Sequence, residues 1–89
     1  MYVMASIQDI ANAAYRIGQS ANGVQLRTQA CANTLGNQAN QLAATVRGSR
    51  TGEDAVREVQ QAERAVRECA ARLLTLQSTI DRFIKDLTK

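Results

Sequence analysis

The stretch VRGSRTGED, residues 46–54, divides an 89-residue chain into two halves of different composition. Before it, residues 6–45 are rich in Ala, Asn, Gln, Ser and Thr, with few charges. After it, Arg and Glu recur every few residues. Gly48 can adopt the left-handed conformation that ends a helix, and Thr51 followed by Asp54 is typical of the start of another. The stretch therefore predicts the bend of an αα-hairpin.

Both halves carry apolar or small residues at alternating spacings of three and four, which is the pattern of a heptad seam. No proline interrupts either half,. We predict an all-α, antiparallel helix-turn-helix hairpin forming a single domain over residues 1–89, with helix 1 at about 6–46, the turn at about 47–52 and helix 2 at about 53–87. The main predicted seam residues are Ile10, Ile17, Val24, Leu35, Leu42, Val59, Val66, Leu73, Leu76, Ile80 and Phe83.

A bend near Arg50 pairs residues whose numbers sum to about one hundred, as an antiparallel register requires. Val24 then faces Leu76, and Cys31 faces Cys69. The two seams meet this condition independently along the whole hairpin. The register therefore supports two continuous helices.

The weak point is the segment from Gly18 to Gly23, where each glycine costs about 1 kcal/mol relative to alanine in a helix interior. A break there would give three helices. Because Ile17, Ala21 and Val24 keep the phase of the seam through this segment, we favour a continuous helix 1. Ser6 with Asp9 is a matching start signal for that helix.

A chain of this size buries too little surface to be robust without a staple, a metal or a partner. The outer face of helix 1 is rich in Asn, Gln and Ala and has few charges, which indicates a second interface. Two hairpins packed as a four-helix bundle dimer would bury it. The alternative is an uncharged polar surface that needs no partner.

Cys31 and Cys69 occupy seam positions opposite each other in the predicted register. One interpretation is that both are buried thiols that act as small apolar side chains. The other is a disulfide between the helices, worth about 3 to 4 kcal/mol in an oxidising compartment. Two thiols without a histidine cannot complete a zinc site, so we predict no metal.

Other function classes find little support in the sequence. The chain has no histidine and shows no nucleophile beside a base, so we predict no catalytic residue and no cofactor,. The net charge of +3 arises from Arg residues interleaved with Glu and Asp, which argues against nucleic-acid binding,. No apolar run approaches the about 18 residues of a membrane span. The N-terminus lacks the pattern of a conventional signal peptide.

Two heptad-patterned helices in a chain just under one hundred residues, with a mid-chain turn ending in hydrophobic-x-Gly at Val46, Arg47 and Gly48, resemble the WXG-type small proteins of type VII secretion systems, the early secreted antigenic target superfamily. The family's turn residue is Trp where this chain has Val46. Its Trp lies in the groove between the helices and contributes to recognition. The family's export signal, Tyr-x-x-x-Asp/Glu, has its nearest counterpart in Phe83 and Asp86, which are one residue too close.

The resemblance implies a non-enzymatic interaction protein that acts as a secreted dimer or as a pairing or targeting chaperone of a larger effector. The implied partners are a second copy, a related helical-hairpin protein, the N-terminal helices of an effector, and a secretion ATPase. The implied location is the bacterial cytoplasm, followed by export without a cleavable signal peptide. The alternative is a structural or regulatory coiled-coil hairpin unrelated to type VII secretion, such as an oligomerisation module or the chaperone or a subunit of another export apparatus.

Overall fold

The computed structural model describes residues 6–87 and contains two long helices packed antiparallel. Helix α1 spans Ile7–Thr45, helix α2 spans Arg50–Leu87, and residues 46–49 join them. The predicted all-α hairpin is confirmed. Helix α1 runs without a break through Gly18 and Gly23, so the three-helix alternative is wrong. At 39 residues, α1 is about 58 Å long,.

The helix starts follow from side-chain capping. The Ser6 hydroxyl accepts a hydrogen bond from the Asp9 backbone N–H at 3.1 Å, which confirms the predicted start of α1,. At α2 the capping hydroxyl belongs to Ser49, which accepts from the Gly52 N–H at 3.2 Å. The predicted cap at Thr51 is wrong, because Ser49 offers an equivalent acceptor two residues earlier. Helix α2 consequently begins before the predicted boundary.

The turn is short because a single residue reverses the chain. Gly48 has φ of 87°, the left-handed region that side chains rarely adopt, as the sequence predicts,. The Val46 N–H donates to the Leu42 carbonyl at 2.9 Å, and the Ser49 N–H donates to the Val46 carbonyl at 2.9 Å. These bonds satisfy carbonyl groups at the end of α1.

Gly52 lies in the first turn of α2, directly against the side chain of Val46. A Cβ atom at Gly52 would overlap the branched side chain of Val46, approaching its Cγ2 to 2.8 Å. Val46 is held by the turn and has little freedom to move away. We therefore expect Gly52→Ala to lower the free energy of unfolding by at least about 1 kcal/mol, measured by urea denaturation at fixed protein concentration.

Gly23→Ala is the matched control for this substitution. A Cβ at Gly23 would meet only Arg27 Nη1, at an ordinary 3.6 Å. Alanine there should stabilise α1 by about 1 kcal/mol through helix propensity alone. Equal stability of the two variants would contradict the packing of Val46 on Gly52.

The most buried positions of the stripe between the helices are occupied mainly by alanine. On both helices the stripe keeps alternating spacings of three and four, so it is a true heptad seam,. Its buried members are Ala11, Ala14, Ala21, Gln25, Ala32, Ala39, Val56 and Ala70. Alanine at these positions allows the two backbones to approach closely, in place of a core of interlocking large side chains.

This stripe differs from the predicted seam by a rotation of each helix. Six predicted seam residues are half-buried within it: Leu35, Leu42, Val59, Val66, Leu73 and Ile80. The other five are exposed, and their assignment to the seam is wrong: Ile10, Ile17, Val24, Leu76 and Phe83. Each exposed residue lies one position before a buried or half-buried stripe residue, for example Ile10 before Ala11.

The predicted register is confirmed by contacts between the helices. The Arg67 guanidinium donates a hydrogen bond to Asn33 Oδ1 at 3.3 Å, and a Cβ at Gly18 would lie 3.5 Å from Ile80 Cγ2. In both pairs the residue numbers sum to about one hundred. The bend was therefore located correctly, although the rotation of the helices was not.

Candidate interaction surface

Eleven exposed residues form one side of the hairpin, which we call the front face. Each lies one position before a member of the heptad stripe or its continuation, and in an antiparallel pair with matched heptads these positions fall on the same side. The front face comprises Ile10, Ile17, Val24, Cys31, Gln38 and Thr45 of α1, and Ala55, Ala62, Cys69, Leu76 and Phe83 of α2. None of these residues carries a charge.

The larger members of the front face are strongly exposed. Ile17 is 55% exposed, Phe83 46% and Leu76 41%. Monomeric proteins expose single apolar residues routinely, but a contiguous apolar face is a mark of an interaction site. The large apolar residues of the front face lie together on both helices in the half remote from the turn, so that half is a candidate interaction site.

Half-buried aliphatic residues of the stripe adjoin the front face. Leu73 lies three residues before Leu76 and four after Cys69, so these three side chains neighbour one another on the helix surface,. The same spacing places Leu35, Leu42, Val59, Val66 and Ile80 beside front-face residues. Covering the front face would therefore also complete the burial of the largest side chains of the stripe.

The opposite side of the hairpin, the back side, is more polar. It holds an open groove of about 390 Å³, lined by Tyr15, Asn22 and Asp81 among others. The Gln19 side-chain amide donates a hydrogen bond to Tyr15 Oη at 2.8 Å. The groove brings together residues one position after the stripe on both helices, which is the arrangement that leaves the front face on the other side.

The charged residues of α2 form a solvated surface. Arg67 pairs with Glu63 at 2.6 Å, and Arg57 pairs with Asp54, each within one turn of the helix. Exposed pairs of this kind contribute less than about 1 kcal/mol. They keep α2 in water and leave the uncharged front face as the distinctive surface of the molecule.

Cys31 and Cys69 are both free and exposed. The interpretation as buried seam thiols is wrong, because the seam passes through their neighbours Ala32 and Ala70. The disulfide within the hairpin is not formed in this structure. Both thiols instead belong to the front face, near the middle of its length.

The turn residues Val46, Arg47 and Gly48 take different positions. Val46 is half-buried against Gly52, whereas Arg47 and Gly48 are exposed. Near the other end of the hairpin, Phe83 and Asp86 are both exposed and lie three residues apart on α2. Their reading as a degenerate export signal stays a prediction.

Sequence reasoning missed several buried positions, namely Ala11, Ala32, Ala39, Val56 and Ala70. The signal was present, because alanine and glycine recur on α1 with the same heptad spacing as the larger aliphatic residues.

Among residues 6–87, no three or more Cys, Asp or Glu side chains lie close enough together to hold a metal ion, and neither helix contains an apolar stretch long enough to cross a membrane.

These features define a helical hairpin with an uncovered apolar side, a class in which the exposed face is the candidate site. The chain matches no protein-family model, no curated protein and no solved structure.

Proposed function

We propose that this chain is a non-enzymatic interaction protein that forms one half of a four-helix bundle, with its front face packed against that of a second copy. The observation that supports this proposal is the uncharged front face, which extends along both helices and carries large apolar residues in the half remote from the turn. A four-helix bundle buries two sides of each helix, and the hairpin alone covers one. The front face supplies the second.

The surface area of the chain is consistent with a partner of this size. The chain exposes 6849 Å², about a third more than the roughly 5,100 Å² expected of a compact protein of its mass. A stable interface buries about 800 Å² on each partner. A face two helices wide and about 58 Å long can supply that area.

A second copy suits the front face because of its lack of charge. In a two-fold symmetric dimer the same patch meets itself, so its residues face other residues of that patch, and those next to the axis face their own copies. The front face has eleven residues and no charge among them. It therefore meets itself without repulsion, and it offers no charge with which to select a different partner.

For the biological setting we propose a type VII-like secretion system, in which the dimer is exported or serves a larger effector. The support for this setting is the resemblance at Val46, Arg47 and Gly48 and the shape of the hairpin. Neighbouring genes for a membrane-bound secretion ATPase or a large effector would support it. Their consistent absence across genomes that carry this gene would contradict it.

One observation favours a second candidate, a structural or regulatory hairpin unrelated to type VII secretion. At the position of the family's tryptophan, Val46 packs onto Gly52 inside the turn. It thus closes the hairpin of its own chain, and presents little surface for recognition by another protein. The dimer is common to both candidates, and only the biological setting differs.

The experiment that tests the proposal is the molar mass of the purified protein by light scattering. We expect twice the 9.7 kDa of the chain at micromolar concentration, with and without reductant. The reduced sample must be dimeric because the apolar contacts, and not a disulfide, hold the copies together. A folded monomer, or a chain that pairs only when mixed with a different helical protein, would contradict self-pairing.

A further inference from the structure

The front face changes in character along its length. Its large residues lie in the half remote from the turn: Ile10, Ile17, Val24, Leu76 and Phe83. Its residues in the half near the turn are smaller or polar: Gln38, Thr45, Ala55 and Ala62. Cys31 and Cys69 separate the two halves. The front face therefore has a bulky half with large apolar side chains, remote from the turn, and a slight half with small or polar side chains, near the turn. Both thiols lie between the two halves.

We infer that two copies pack head to tail through this face, which here means a two-fold symmetric, antiparallel arrangement with the two turns at opposite ends. Cys31 and Cys69 then each meet their own counterpart across the two-fold axis and can be joined by disulfides. This inference rests on the proposed self-pairing and specifies its geometry. Head-to-tail packing places the bulky half of each copy on the slight half of the other. Packing with both turns at one end would place the large side chains of the two copies against each other and would hold the halves with small or polar residues apart.

The heptad spacing makes the pairing explicit. A two-fold axis at the level of the cysteines relates positions at equal distances on either side of them along each helix. Ile17 of one copy then faces Thr45 of the other, and Val24 faces Gln38. On α2, Leu76 faces Ala62 and Phe83 faces Ala55. Every large residue of the front face between Ile17 and Phe83 receives a smaller opposite neighbour.

The two orientations predict different thiol pairs. In the head-to-tail dimer α1 lies on α1 and α2 on α2, so Cys31 meets Cys31 and Cys69 meets Cys69. With both turns at one end, α1 lies on α2, and Cys31 would meet Cys69. Residues next to a two-fold axis approach their own copies closely, which suits the Cα separation below about 7 Å that a disulfide requires.

Formation of the disulfides needs an oxidant. Two thiols lose two protons and two electrons as one S–S bond forms between the copies. Oxidised glutathione accepts them, because its own S–S bond is cleaved to give two molecules of the thiol form. An oxidising environment would thus convert the apolar dimer into a covalent one, and a reducing environment would reverse the change.

The test uses the single substitutions Cys31→Ser and Cys69→Ser in the full chain. Each variant is treated with oxidised glutathione at micromolar concentration and run on a non-reducing denaturing gel. We expect the covalent dimer to become the major species for each variant alone. It should persist on dilution to concentrations at which the reduced protein dissociates.

The control for random collision is Ala30→Cys in a chain that also carries Cys31→Ser and Cys69→Ser. Ala30 is exposed on the outer side of α1, away from the front face. This variant should remain largely monomeric on the gel. Unfolding either single variant in concentrated urea before oxidation should likewise suppress the covalent dimer.

Two outcomes would overturn the inference. A covalent dimer that appears only when the two single variants are mixed would show that Cys31 meets Cys69, and hence that both turns lie at one end. No covalent dimer at all, in a reduced protein that light scattering shows to be dimeric, would place the thiols away from the axis. A monomer by light scattering would instead contradict the proposed self-pairing itself, so the two failures are distinguishable.

Discussion

Replacing Leu76 by glutamate is expected to abolish dimer formation while leaving the hairpin folded. Leu76 is 41% exposed in the single chain, so the hairpin loses little by its removal. In the proposed symmetric dimer the substitution acts twice, and burying the exposed part of each leucine is worth about 1 kcal/mol. The combined loss of about 2 kcal/mol weakens association about thirtyfold, and the cost of bringing two carboxylates into an apolar interface weakens it further. Dilution series followed by light scattering or sedimentation would measure this change.

Leu74→Glu is the matched control, because Leu74 lies two residues away on the same helix. Leu74 is 53% exposed, more than Leu76, but it faces the back side. Glutamate is a good helix former at either position, so helix propensity affects both variants alike. Leu74→Glu should leave the dimer intact. If the two variants dissociate equally, the interface lies elsewhere than on the front face.

The rotation of each helix about its own axis is the feature of the fold that the sequence pattern leaves open. A stripe at spacings of three and four identifies an amphipathic helix, and here it located both helices and their register. Of the eleven predicted seam residues, however, only six lie in the stripe between the helices. Ile17 and Gly18 are an example. A search for large side chains at heptad spacing places Ile17 in the seam, whereas in the structure the side of α1 that carries Gly18 faces α2.

The physical reason is that these helices have two apolar sides. A single stripe of large residues would fix which side is buried, because its burial dominates the free energy of folding. Here the alanines on the adjoining side allow the two backbones to approach closely, and the larger residues lie at the edge of the stripe or on the front face. Periodicity alone does not decide which of the two sides is buried between the helices. The same ambiguity placed the cysteines inside the predicted seam.

The second large effect is expected from Ala32→Leu at the middle of the buried stripe. Ala32 is completely buried, with 0% exposure, between the half-buried Thr28 and Leu35 of the stripe. Three added carbon atoms have no space there and must push the helices apart, which costs about 1 to 3 kcal/mol or more. For a domain this small that is a large share of its stability. Urea unfolding followed by circular dichroism should show the transition at clearly lower denaturant.

Ala30→Leu separates this packing effect from the choice of residue, because Ala30 lies two positions away and is exposed. Its effect should stay within about 0.5 kcal/mol. The consequence of Ala32→Leu also reaches the dimer, since α1 and α2 carry separate halves of the front face. Helices forced apart at Ala32 would no longer present Cys31 and Cys69 at the spacing that a second copy matches. We therefore expect the folded fraction of this variant to form the glutathione-induced covalent dimer less completely than Ala30→Leu, and equal yields would show that close helix packing does not shape the face.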